Sequence, residues 1–60
     1  MTAYGAYRIA QVLADNGLTS DPVTAHDMDR AADYANVTRP GTTHDRHTVR
    51  LALDTTGEAP

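Results

Sequence analysis

Apolar residues recur along the first quarter of the chain with the period of a helix. At about 100° per residue, Ala6, Ile9, Ala10 and Leu13 share one face with Val12 at its border, while Arg8, Gln11 and Asp15 cluster opposite. Thr2 stands where a capping hydroxyl is wanted, and Gly17 where a helix ends on a left-handed residue. The pattern predicts a helix from Thr2 to about Asn16, with Leu18 folding back on Leu13. Tyr4 falls on the polar side and Tyr7 at the boundary.

Two start signals follow. Thr19-Ser20-Asp21-Pro22 offers Ser20 or Asp21 as a cap with Pro22 in the first turn, and Thr24-Ala25-His26-Asp27 is a Thr-x-x-Asp variant of the capping box. The expected second helix spans residues 22–36. Its inner stripe, Ala25, Met28, Ala31, Ala32 and Ala35, is made mostly of small residues that let another helix come close, while His26, Asp29 and Asp33 face water.

Pro40 and Gly41 interrupt the helical pattern, and Thr42-Thr43-His44-Asp45 then repeats the Thr-x-x-Asp signature. Val49, Ala52 and Leu53 fall on one side of a third helix ending near Asp54. A strand competes, because Val49, Leu51 and Leu53 alternate with Arg50, Ala52 and Asp54. A lone strand would need a partner from another subunit. The expected fold is therefore all-α, a three-helix domain over residues 1–54 with a flexible tail at 55–60. The alternative is two helices plus a C-terminal strand or hairpin completed by dimerisation.

Composition makes this scaffold thin. Hydrophobic residues are 40% of the sixty, but ten are alanine and none is Phe or Trp. A core this small competes narrowly with chain entropy, so self-association or a bound partner is expected to help, and a homodimer is the expected state. Cysteine is absent, which removes disulfides and thiolate zinc sites. No apolar run approaches the roughly 18 residues of a membrane span, and the start lacks the order of a signal peptide, so a cytoplasmic location is expected. All five basic residues are arginine, a usage that resembles proteins from GC-rich genomes.

The net charge of −3 is unevenly spread. Residues 1–36 set Arg8 and Arg30 against five aspartates, whereas residues 37–53 set Arg39, Arg46 and Arg50 against Asp45 alone. A local basic element of this kind points to an anionic partner. Candidate reactive groups are sparse: Ser20 is the one serine, and there is no Cys or Lys to serve as nucleophile or base. His44-x-x-His47 beside Asp45 has a metal-ligand spacing, but sequence places no third ligand, and a solvated first helical turn accounts for it. No enzyme activity, metal or cofactor is expected.

The segment from Ala32 to Leu53 resembles the helix-turn-helix of bacterial transcription regulators. Ala32, three residues, Asn36-Val37-Thr38, then Thr48-Val49-Arg50-x-Ala52-Leu53 is similar to that family's Ala-x-x-x-Gly-Val-Ser followed by Thr-Val-Arg-x-Ala-Leu. Asn36 stands where the family's turn has Gly, and about seven extra residues, Gly41 to His47, separate the two halves. The resemblance implies a helix-turn-helix-like domain whose second motif helix enters the DNA major groove. It implies Arg39, Arg46 and Arg50 as phosphate or base contacts, with His44, His47 and Thr48 assisting. On this reading the protein is a small regulator and its partner is DNA.

A protein-interaction module is the alternative. The Asp-rich outer face of helix 22–36, with Asp29 and Asp33, suits an arginine-rich partner, and Tyr4, Tyr7 and Tyr34 sit at or beyond the edges of their apolar stripes, where interface anchors are common. Such a protein would act as an adaptor, an inhibitor or a nucleic-acid mimic.

Overall fold

In the computed structural model, which describes residues 1–58, three helices follow one another: α1 (Ala3–Asp15), α2 (Ala25–Ala35) and α3 (Thr43–Glu58). Among the described residues there is no strand, so the third segment is helical and the strand alternative does not hold.

Each helix begins on a threonine hydroxyl. Thr2 Oγ1 accepts from the Gly5 N–H at 3.0 Å, Thr24 Oγ1 from Asp27 N–H at 3.1 Å, and Thr42 Oγ1 from Asp45 N–H at 3.0 Å. At α2 the box is complete, because the Thr24 N–H donates back to Asp27 Oδ2 at 3.0 Å. These bonds hold the Asp27 carboxyl below the usual carboxylate range. At α3 the corresponding Asp45 turns instead to the Met1 ammonium, 3.3 Å away.

Two expected boundaries shift. The second helix starts at Ala25 rather than residue 22, because Ser20 is drawn across to α3 and Val23 is needed in the core. Ala25, expected on the inner stripe, is exposed on the first turn. The third helix passes Asp54 and continues to Glu58, its added turn accompanied by Thr55 and Thr56 hydroxyls that donate to the Leu51 and Ala52 carbonyls. Of the expected tail, residues 59–60 lie outside the described residues.

The first two helices end alike. After α1, Gly17 lies at φ +77° and the Leu18 N–H reaches the Leu13 carbonyl; after α2, Asn36 lies at φ 59° and the Val37 N–H reaches the Ala32 carbonyl. Each is a Schellman closure, with Leu18 and Val37 packing back against the core.

The core is built around α1. Ala6, Ile9, Ala10 and Leu13 meet Val23, Met28, Ala31 and Ala32 on one side and Val49 and Leu53 on the other. Helix α1 packs extensively on both neighbours, whereas α2 and α3 touch only slightly. The Met1–Asp45 pair joins the starts of α1 and α3, and the Ser20–Asp54 bond joins the loop after α1 to the far end of α3. These two helices therefore run in the same sense.

Ile9→Ala is expected to lower the melting temperature by at least about 10 °C, the shift of a loss of roughly 2–5 kcal/mol in so small a domain. Thermal unfolding followed by circular dichroism checks this, with exposed Leu51→Ala as the unshifted control. Acid provides a second test. Asp27 and Asp33 both titrate below the unfolded value of 3.8, so the folded state gives up protons more readily than the unfolded chain. Their contribution is complete above that value and is lost as the pH falls through the lower folded values. Denaturant midpoints should be flat with respect to these groups above about pH 5 and decline below 3.8.

Candidate binding surfaces

The three arginines expected to form a basic stripe have separate tasks. Arg39, in the link after α2, reaches back to Asp33: Nε donates to Oδ1 at 2.9 Å and Nη2 to Oδ2 at 2.6 Å. This two-pronged pair is exposed, and the guanidinium bonds hold the Asp33 carboxyl below its ordinary value. It joins a residue of the expected DNA surface to one of the expected protein surface.

Arg46 is half-buried at the start of α3, with Nη1 3.5 Å from the Pro40 carbonyl and Nη2 3.5 Å from Thr43 Oγ1. Arg50, also half-buried, crosses to the loop between α1 and α2 and donates from Nη1 to the Ser20 carbonyl. Ser20 Oγ in turn donates to Asp54 on α3. Together these groups form a clip that fastens the loop to the last helix.

The exposed side of α3 therefore carries no arginine. His44 and His47 are exposed and Thr48 is half-buried, its hydroxyl donating to the His44 carbonyl at 3.0 Å. At helical spacing Leu51, 54% exposed, lies beside the two imidazoles. Asp45, the acid beside His44 in sequence, is turned to Met1. Among the described residues no three His, Cys, Asp or Glu side chains gather as metal ligands.

On α1 the Tyr7 hydroxyl accepts from Gln11 Nε2 at 3.2 Å, and Gln11 Oε1 accepts from Arg8 Nη1 at 3.3 Å. Tyr4 is exposed nearby, one turn earlier. Asp29 is half-buried on α2. Tyr34, near the end of α2, is 84% exposed.

Beside Tyr34 lies a groove that sequence reasoning did not assemble. It is open, about 530 Å³, and runs between the C-terminal half of α1 and α2. Val12, Leu13, Leu18 and Ala31 supply its apolar lining; Asp15, Asn16, Asp27, Arg30 and Tyr34 supply its polar lining. The signals were present in pieces: Val12 at the border of the α1 stripe, Leu18 returning on Leu13, and alanine at position 31. Their meeting depends on where α2 lies against α1, which periodicity does not specify.

No helix among the described residues is long and apolar enough to cross a membrane. No family model, curated protein or solved structure matches the chain.

The two arginine arrangements differ in what their removal should do. Arg50→Ala is expected to lower the melting temperature by several degrees and to speed amide exchange at residues 17–21, because the loop carbonyl loses a charged donor. Arg39→Ala should leave the melting temperature nearly unchanged, since an exposed ion pair is screened by water. Paired melting and hydrogen-exchange measurements check both.

Proposed function

We propose that the protein is a small non-enzymatic binding module whose partner is another protein, met on the side formed by α2 and the C-terminal half of α1. The observation that carries this reading is Tyr34, an aromatic ring left 84% exposed on the lip of an open groove with an apolar floor. Aromatic anchors beside such hollows are characteristic of interface hot spots. The reading is supported by the charge of the chain, −3, and by the arginines of the third segment, whose guanidiniums are already bonded within the molecule. The groove is open rather than enclosed, which suits docking better than chemistry that must exclude water.

A DNA-binding regulator is the second reading, favoured by the exposed His44 and His47 with Thr48 beside them on α3, the kind of helix face that a groove-reading domain presents. Arg39 is paired with Asp33, and Arg50 lies half-buried against the Ser20 carbonyl, so neither offers its whole guanidinium to a phosphate. That engagement, together with the acidic charge, places it second.

Selection of random 16-residue peptides displayed against the whole protein tests the first reading. Enriched peptides are expected, and Tyr34→Ala should weaken them at least about tenfold, as for a hot-spot side chain. A parallel selection from random duplex DNA at ~0.15 M salt should leave only the weak non-specific affinity of about 10⁻⁴ M. Enrichment of a DNA sequence, with no enriched peptide, would reverse the assignment.

A further inference from the structure

We propose that the groove between α1 and α2 receives an amphipathic helix of another protein, carrying two apolar anchors about one turn apart and an arginine or lysine that reaches Asp15. The inference rests on the protein-binding reading and adds the chemistry of the partner.

The shape of the groove selects a helix. Its α2 wall runs from Asp27 to Tyr34, about 10 Å at 1.5 Å per residue, which is two helical turns. Both walls are helices, and the described fold has no sheet edge onto which a strand could add. An occupant lying between two helices fills such a hollow with side chains spaced i, i+3 or i+4. Val12 and Leu18, both only partly covered, form the floor that these anchors would seal.

Charge selects the sign. Asp15 is the last residue of α1, at the negative end of the helix dipole, and the last turn of α1 contains no basic residue. The last turn of α2 poses the same problem with Asp33, and there Arg39 answers it from within the chain. Among the described residues Asp15 has no such ion pair. It stands on the groove rim with Asp27, and Arg30 is the one cation among the lining residues. A cation brought by the partner would complete at α1 what Arg39 completes at α2. A second copy of this chain carries a net charge of −3 and is a poorer electrostatic match.

The peptides selected against the protein decide the matter. They are expected to be net basic, with Leu, Ile, Phe or Met at i and i+3 or i+4, and to perturb the amide signals of Val12, Asp15, Leu18, Ala31 and Tyr34 in a labelled sample. Asp15→Lys should weaken them at least about tenfold while leaving the fold intact, because a cation is favourable at a helix C-terminus. Asp21→Lys, exposed and outside the groove lining, should leave affinity unchanged. Acidic or neutral peptides that still map to the groove, or indifference to Asp15→Lys, would overturn the inference while leaving the protein-binding reading in place. Sedimentation as a dimer that Tyr34→Ala converts to monomer would assign the groove to a second copy instead. Absence of any enriched peptide would remove both.

Discussion

Everything in this molecule hangs on one side of α1. Ile9 and Leu13, with Ala6 and Ala10 beside them on the same face, form a ridge against which the other two helices lie, while those two helices hardly meet. Ile9, Met28 and Val49 are wholly buried, one large side chain from each helix, and alanines around them bring the backbones close enough to fill the space. A chain without Phe or Trp gains burial here through close approach rather than bulk. The arrangement leaves α2 and α3 each dependent on α1 and almost independent of one another.

That dependence gives the polar bonds at the periphery a larger share of the architecture. The Thr-x-x-Asp signature occurs at the starts of both α2 and α3, yet its acid has different work in each place: Asp27 closes the box on Thr24, and Asp45 holds the beginning of the chain. The arginines behave similarly. Arg39 bridges the end of α2 to its following link, Arg46 steadies the approach to α3, and Arg50 fixes a distant loop. Of the three, Arg50 makes the long-range tie, from α3 to the loop after α1, while the Arg39 pair is local and exposed.

The helices were legible because their signals are local. Threonine caps, the left-handed Gly17 and Asn36, and the Ile9–Leu13 period each act within a few residues, and each is found where expected. The start of α2 was less legible, since Ser20 and Pro22 form a credible beginning until the reach of Ser20 to Asp54, thirty-four residues away, is known. The end of α3 was hidden for a similar reason: Thr55, Thr56 and Gly57 are weak helix formers, and helix persists through them with hydroxyl bonds to the preceding turn. Among candidate site residues, the exposure of Tyr4, Tyr7, His44 and His47 followed from helical projection. The direction of Arg50 and the groove under Tyr34 did not, because both are properties of how helices are placed rather than of any one helix.

The closure of α1 has a bearing on how long the folded molecule keeps its covalent form. Asn16-Gly17 is a dipeptide prone to deamidation, in which the backbone nitrogen after the asparagine attacks the side-chain amide. Here that nitrogen is committed to the Ala14 carbonyl, and the Asn16 side-chain amide donates to the Val12 carbonyl at 2.8 Å. Both reactants are held apart from the cyclic geometry that the reaction requires. Each unfolding event releases them, so in a domain of narrow stability the rate of chemical ageing at this step becomes a measure of how often the first helix comes undone.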